Sequence, residues 1–349
     1  MQTHYCTYFD HRYLTLGLAL YASMQRHCSA FCLWVLCLTD ECYDTVAKLA
    51  LPHLIPLRPS ELEAFDKELL DSKENRPEIE YYFTCTPALM RWIFARRPDI
   101  DVLTYLDSDL FFFKDPAPLF VDFRDHSVFI VPHRFSRQNQ HLARTSGDFN
   151  VGWLSFRRDQ RGFECLEWWR QSCLRSCARK DGQCGDQMYL NEFPVRFSNV
   201  YICDNPGVNL APWNLDNYEL TADRYGCPEV DGVPVTFFHF SQLRRVARFL
   251  WRAPYRMFGA PITSDVRKFL FRPYLRDVVA AEKLVGYTLP PPVLSHGRTF
   301  FRANRFLAFI RELSALPLRG GGIWVFGRRD EFLELASRRE LRGCRELRG

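Results

Sequence analysis

The chain has 349 residues, and 47% of them are hydrophobic, which supports one large globular domain or two smaller ones. Its densest apolar run, at 30–38, has nine residues, which excludes a bilayer-spanning segment there because such a segment needs roughly 20. The net charge of +5 excludes a strongly acidic or basic protein as a whole.

Strand-like and helix-like segments alternate along the first half of the chain. In chain order we predict strands at 4–9, 31–39, 53–57, 102–106, 127–132, 150–156 and 235–240, and helices at 13–27, 41–50, 60–72, 86–97 and 162–178. Ser60 is the predicted N-cap of its helix, in a capping box with Glu63, and Pro87 is predicted at the first position of the helix at 86–97. This alternation predicts an α/β fold with a mixed, mainly parallel central sheet flanked by helices.

The basic residues are concentrated at the carboxyl terminus. Residues 244–349 contain 22 Lys and Arg against 9 Asp and Glu, whereas residues 1–243 contain 24 against 32. We predict a main domain at 1–245 and a basic, partly helical extension at 246–349. The extension could meet nucleic acid, an anionic membrane surface, or only solvent.

Cysteine usage and the amino terminus bear on the compartment. The 13 cysteines form no Cys-x-x-Cys motif, and an odd number favours free thiols in a reducing compartment. The pairs Cys28/Cys32 and Cys173/Cys177 leave a zinc site as the alternative. Because no signal-peptide pattern is present, we expect a cytoplasmic protein, with peripheral contact to the inner face of the membrane through the basic extension.

The sharpest local feature is a pair of carboxylates behind a buried strand. Asp107 and Asp109 follow the strand at 102–106 and precede the apolar run Phe111-Phe-Phe113. Side chains two apart on an extended segment point the same way, so both carboxylates can face one cation. Such hard oxygen ligands suit Mg²⁺ or Mn²⁺, which commonly bridge a protein to a diphosphate.

Hydrolases of the haloacid dehalogenase class also place Asp-x-Asp after a buried strand. They have Thr or Val two residues beyond the second Asp, where this chain has Phe111. Their motif tends to lie in the first strand, so this alternative is disfavoured.

Four further motifs, together with the Asp pair, carry a resemblance to a known family. They are Thr7-Tyr-Phe-Asp-His-Arg-Tyr13, Phe149-Asn-Val-Gly152, Gly185-Asp-Gln-Met-Tyr-Leu-Asn191 and Phe237-Phe-His-Phe-Ser241. With these motifs in order, residues 3–245 resemble glycosyltransferase family 8, the retaining enzymes that include glycogenin and bacterial lipopolysaccharide galactosyltransferases. The resemblance implies a GT-A fold and makes residues 1–245 the nucleotide-sugar-binding catalytic domain.

The resemblance also implies site residues. Asp107, Asp109 and His239 would bind the Mn²⁺ or Mg²⁺, and Asn150, Asp186 and Gln187 would contact the donor sugar. The nucleotide-sugar would be bound by Thr7, Asp10, Tyr13, Arg91, Asp107 and Arg245. The family has Gly and then Lys after the metal-binding His, whereas this chain reads Ser-Gln-Leu-Arg-Arg, with Arg245 at the spacing of the Lys.

Two stretches have a composition suited to a sugar acceptor. Asn209, Trp213 and Asn214 offer amides and an indole, and Glu80-Tyr-Tyr-Phe-Thr84 is similar in character. The side chains of either stretch could instead fill the inside of a loop, as a loop plug.

Together these features predict transfer of a hexose from a nucleotide sugar, UDP-linked, to an acceptor hydroxyl with retention. The acceptor would be a carbohydrate or glycoconjugate, lipid-linked if the pathway makes surface polysaccharide, and no nucleic-acid partner is expected. The alternatives are a sugar-phosphate nucleotidyltransferase and a non-catalytic binding or scaffold protein. The first turn, Asp10-His-Arg-Tyr13, lacks the Gly-rich loop of nucleotidyltransferases.

Overall fold

The computed structural model describes residues 2–178, 184–247, 250–260, 262–286, 322–326 and 332–335, the last two ranges and most of 244–256 as backbone only. The strands are β1 Thr3–Phe9, β2 Phe31–Cys37, β3 Leu54–Leu57, β4 Val102–Leu106, β5 Leu110–Phe112, β6 Val128–Pro132, β7 Phe149–Arg157, β8 Val200–Ile202, β9 Leu220–Ala222, β10 Pro228–Val230, β11 Val233–Pro234, β12 Phe237–His239, β13 Arg244–Ala247, β14 Leu250–Ala253, β15 Gly322–Phe326 and β16 Phe332–Leu335. The α-helices are α1 Leu14–His27, α2 Asp40–Leu49, α3 Pro59–Phe65, α4 Lys67–Lys73, α5 Glu78–Arg96, α6 Leu119–Phe123, α7 Ala143–Ser146, α8 Gln160–Arg175, α9 Phe193–Arg196 and α10 Arg272–Leu284.

A seven-stranded sheet in the order β3-β2-β1-β4-β7-β6-β8 forms the centre of the molecule. The first four strands are parallel, β7 runs antiparallel to both β4 and β6, and β8 is parallel to β6. The predicted mixed, mainly parallel sheet is therefore confirmed. Because β7 is reversed, its first residues lie at the same edge as the last residues of β1, β4 and β6.

Helices cover both faces of this sheet, since the strands carry apolar side chains on each side. On one face α5 and α8 pack against the sheet through a core that includes Leu89, Ile93, Leu166, Trp169, Leu103 and Leu154. On the other face α1 and α2 pack through Leu14, Leu18, Val46, Val35 and Leu106.

Two predicted helix starts are wrong. The predicted helix at 60–72 is two helices, broken at Asp66, whose side chain caps α4 by accepting from the N–H of Leu69 at 3.1 Å. Arg58 precedes the first of these helices, and its N–H donates to Glu61 at 3.0 Å, so the predicted box of Ser60 and Glu63 is not formed.

Helix α5 begins at Glu78, eight residues earlier than predicted, and contains Pro87 in its interior. Burial of Tyr81, Tyr82 and Cys85 against the sheet outweighs the local preference of proline for a first turn. The stretch at 80–84 is therefore helical and does not plug a loop, and its acceptor-facing role stays a prediction.

The chain beyond β12 is not separate from the sheet. A third core joins Leu16, Phe111 and Phe240 to Phe271 and Tyr274, with the rings of Phe240 and Tyr274 stacked at 3.8 Å. The boundary at 245 thus stays a prediction, and residues up to Val279 share this core with residues of the predicted main domain.

From residue 287 onward the predicted extension lies outside the described residues, apart from the backbone of β15 and β16, which extends a sheet from β13 and β14. Within the described part of the chain, no helix combines enough length and apolar character to cross a bilayer. The 12 cysteines described there are all free thiols.

Candidate functional site

Two carboxylates and an imidazole converge where β4 ends. Asp107 and Asp109 form the turn between β4 and β5, and antiparallel pairing of β5 with β12 sets His239 opposite Leu110. The Nε2 atom of His239 lies 3.0 Å from Oδ1 of Asp109 and 3.6 Å from Oδ2 of Asp107. We call these three residues the Asp-Asp-His cluster.

The electrostatics of the cluster favour a bound cation. Burial raises the pKa of Asp107 to about 6, the His239 charge opposes that rise, and the neighbouring Asp109 adds to it. The two carboxylates raise the pKa of His239 against the effect of its burial. Ligand atoms of all three residues lie within 4.8 Å of one another, the one such group among the described residues. Two carboxylate oxygens and an imidazole nitrogen form a donor set that can bind a divalent cation.

A chain of amides lies directly behind His239. Its Nδ1 atom is 3.2 Å from Oδ1 of Asn150, the second residue of β7. Nδ2 of Asn150 donates to Oε1 of Gln187 at 2.9 Å, and Nε2 of Gln187 donates to the carbonyl of Ser146 at 2.7 Å. The structure thus brings Asn150 and Gln187 together beside the Asp-Asp-His cluster.

Asp186 lies near Asp107 of the cluster, one residue before the 3₁₀ helix Gln187–Glu192. Its side chain is 5% exposed, and no hydrogen-bond partner of Oδ2 occurs among the described residues. Burial raises the pKa of Asp186 to about 7, the nearby Thr86 hydroxyl opposes that rise, and the charge of Asp107 adds to it. A buried carboxyl oxygen without a partner is suited to receive a ligand hydroxyl.

Asp10 and Tyr13 follow β1 and reach the same sheet edge. Oδ1 of Asp10 accepts from the N–H groups of Arg12 at 2.9 Å and Tyr13 at 3.1 Å, and its second oxygen pairs with the Arg12 guanidinium. Asp10 therefore holds the turn, and Arg12 would have to move before Asp10 could accept from a base. Thr7 is fully buried in β1, with no partner for its Oγ1 among the described side chains.

Arg91 does not reach the cluster. Its Nε pairs with Glu167 of α8 at 2.9 Å, and its guanidinium lies over the ring of Phe65. Thr86 is the α5 residue near Asp186. Arg91 follows it by five residues, which places Arg91 about 140° around the helix from Thr86, so Arg91 faces away from the site. The Arg245 side chain lies outside the described residues.

The predicted acceptor residues are buried. Asn209 and Asn214 are 0% exposed and Trp213 is 6% exposed. Nδ2 of Asn214 donates to the carbonyls of His133 at 2.8 Å and Asn209 at 3.0 Å, and its Oδ1 accepts from the N–H of Ala211 at 2.8 Å. These bonds fit a role of Asn214 inside the loop, and the acceptor-side role of the three residues stays a prediction.

Residue-level reasoning missed two members of the site. His133 follows β6 and lies 3.4 Å from Nδ2 of Asn150, and a polar residue behind a buried strand was the available signal. Gly152 permits the close packing, because a Cβ there would lie 2.5 Å from Oδ1 of Asn150 and 3.0 Å from Nδ1 of His239. Its place in the Phe-Asn-x-Gly motif was the signal.

Comparison with known proteins identifies two relatives of the chain and a solved structure with the same fold. No model of a protein family matches the chain. The chain is 33% identical over 257 residues to the uncharacterized protein YfnF of Bacillus subtilis (strain 168), covering 71% of this chain and 84% of YfnF. It is 30% identical over 242 residues to the uncharacterized protein YfnD of the same strain, covering 68% and 77% of the two chains.

Among solved structures, the apo structure of the bifunctional glycosyltransferase WbbM superposes with a TM-score of 0.50 at 14% identity. The match covers 81% of this chain and 51% of WbbM. At that identity the likeness shows the fold alone, and it confirms the predicted GT-A fold. The chain therefore belongs to the protein family of YfnF and YfnD and has the GT-A fold found in nucleotide-sugar glycosyltransferases.

Proposed function

We propose that the protein is a divalent-metal-dependent glycosyltransferase that moves a hexose from a UDP-sugar to a hydroxyl of a carbohydrate or glycoconjugate acceptor, with retention. The observation that carries this proposal is the Asp-Asp-His cluster at the carboxyl end of β4 in a GT-A sheet. In open α/β sheets, ligands bind at the carboxyl ends of the strands.

Asp107, Asp109 and His239 would hold Mn²⁺ or Mg²⁺, which when bound would neutralise charge on a leaving diphosphate. Asp10 and Tyr13, which follow β1 at the same edge, would bind the nucleotide, with the tyrosine ring stacking on the base. Asp186 would accept from sugar hydroxyls through the oxygen that has no partner among the described residues. Arg245 stays a candidate for the diphosphate because of its spacing after His239.

The proposal of retention depends on the family resemblance and on Gln187. A neutral amide is a poor nucleophile, which favours front-face displacement over a covalent intermediate. In such a displacement the leaving phosphate takes the proton of the acceptor hydroxyl, so no separate general base is required. We extend the proposal to surface-polysaccharide synthesis with a lipid-linked acceptor, which the basic extension would help to approach.

Release of UDP tests this function directly. Wild-type protein given UDP-hexoses should release UDP when Mn²⁺ or Mg²⁺ is present and should stop when the metal is chelated. Asp109→Asn should lower that rate by at least ~10²-fold, because an anionic ligand becomes a neutral amide. Asp101→Asn is the matched control, since Asp101 is exposed and lies at the opposite end of β4.

A nucleotidyltransferase would instead consume a nucleoside triphosphate and a sugar phosphate and release pyrophosphate. A binding or scaffold protein would turn over neither substrate pair. Full turnover by Asp109→Asn at limiting Mn²⁺ would contradict the metal assignment.

A further inference from the structure

The hydrogen-bond chain behind His239 can be assigned proton by proton, because backbone groups fix both of its ends. Oδ1 of Asn150 accepts from the N–H of Gly152 at 3.0 Å, and Oε1 of Gln187 accepts from the N–H of Val151 at 3.3 Å. A backbone N–H only donates, so each of these contacts identifies the amide oxygen. The carbonyl of Ser146, which only accepts, fixes Nε2 of Gln187 in the same way.

With the Asn150 amide oriented, the protonation of His239 follows. Oδ1 of Asn150 cannot donate, so Nδ1 of His239, at 3.2 Å, must carry a proton. The same rule applied to Nε2, which lies 3.0 Å from an Asp109 carboxylate oxygen that only accepts, puts a proton on Nε2 as well while no metal is bound. A metal held by His239, Asp107 and Asp109 would take the place of that second proton and leave the ring protonated on Nδ1 alone. This is the tautomer that a metal bound by all three residues requires.

The other side of Asn150 fixes His133. Nδ2 of Asn150 gives one hydrogen to Gln187, and its second points to Nε2 of His133 at 3.4 Å. That nitrogen must accept, so His133 is neutral with its proton on Nδ1. Burial independently lowers the pKa of His133 to about 3, which keeps the ring neutral. The ring is also held by stacking on Phe135 at 4.5 Å.

We propose that Asn150 is a positioning residue that holds His239 in its Nδ1-protonated form, with His133 and Gln187 fixing the orientation of the Asn150 amide. All four hydrogen-bonding positions of the amide are used within the protein, by Gly152, His239, Gln187 and His133. Asn150 therefore acts on the metal ligand and has no position left for the donor sugar. Partners of this kind orient metal-binding imidazoles and raise their basicity.

This inference depends on the metal site of the proposed function, but its first test needs no activity. Wild-type protein labelled with ¹⁵N-histidine and saturated with diamagnetic Mg²⁺ is observed by NMR, and His239→Gln assigns the signal among nine histidines. The His239 ring should carry its proton on Nδ1, with Nε2 unprotonated. A metal-loaded His239 ring without a proton on Nδ1 would overturn the inference.

The second test measures Mn²⁺ binding, alone and with UDP, by the electron paramagnetic resonance of free Mn²⁺. Asn150→Leu removes the acceptor for Nδ1 of His239 and should weaken Mn²⁺ binding by ~10–100-fold. Asn150→Asp restores an acceptor and should recover most of that loss, which a purely structural role would not predict. Equal Mn²⁺ affinity of wild type and Asn150→Leu would overturn the inference.

The two proposals fail differently. If wild type binds neither Mg²⁺ nor Mn²⁺, the proposed metal function fails. If it binds both and the metal-loaded His239 ring lacks a proton on Nδ1, only the role of Asn150 fails. If Asn150→Leu does not fold, the wild-type spectrum and Asn150→Asp still decide the inference.

Discussion

At the scale of single residues, Asp186 combines deep burial with a titratable group. Burial raises its pKa to about 7 in the folded protein, against about 3.9 in an unfolded chain. Between these pKa values the native state binds more protons than the unfolded state. The free energy of unfolding of the metal-free protein should therefore fall as pH rises through this window and level off above it.

Asp186→Asn removes this titration. The variant should be more stable than wild type above about pH 7, by up to ~4 kcal/mol, and the advantage should vanish near pH 4. Urea unfolding of metal-free protein across this range measures the difference. Asp101→Asn, at an exposed position, should follow the wild-type curve. An Asp186→Asn variant with the same pH dependence as wild type would show that this carboxyl is not the buried acid described.

At the scale of elements, the break between α3 and α4 shows a limit of prediction from local sequence. Asp66 caps α4 and also forms a buried ion pair with Arg170 of α8, where Nε of Arg170 donates to Oδ2 of Asp66 at 2.6 Å. The two residues are 104 positions apart, and their side chains are 1% and 3% exposed. A capping box read from neighbouring residues could not include a partner so distant.

Asp66→Ala should lower the free energy of unfolding by about 3 kcal/mol, because Arg170 loses its buried partner and keeps only the more exposed Glu68 and Glu167. The double variant Asp66→Leu with Arg170→Met should recover part of that loss. Asp99→Ala, which breaks the exposed pair with Arg97, should have no measurable effect. Chemical denaturation gives all three values, and UDP release per folded molecule should not change. A double variant no more stable than Asp66→Ala would contradict this account.

At the scale of the whole molecule, the fold was predictable because its signals are local. Buried strands alternate with helices, and the apolar runs at 31–37 and 102–106 identify strands of a covered sheet without any tertiary information. The antiparallel course of β7 was not predictable in this way. It is that reversal which brings Asn150, at the start of β7, to the edge where β4 ends.

The candidate site was predictable where a motif carries it, as for Asp107, Asp109 and His239. It was not predictable where a side chain serves a contact between distant elements. His133 contacts Asn150 across two strands, and Arg91 turns to Glu167 of α8 because of its angular position on α5. Spacing along the chain does not predict these tertiary contacts.

The uneven charge distribution leads to the last prediction. The surplus of Lys and Arg in residues 244–349 should attract the protein to acidic vesicles, by about 1 kcal/mol for each basic residue near the surface. Because β14 pairs with β15, deleting residues 294–349 would remove two of the four strands of this sheet, so point changes are the cleaner test.

Arg338→Glu, Arg339→Glu and Arg342→Glu, combined in one variant, should reduce co-sedimentation with acidic vesicles. Changing the exposed Arg124, Arg144 and Arg161 to Glu is the matched control and should reduce it less, because those residues belong to the acidic part of the chain. Binding of wild type should fall steeply with salt, since screening acts within about 10 Å at 0.1 M ionic strength, and neutral vesicles should bind little. Equal losses in the two variants would show that total charge, and not the extension, sets the attraction.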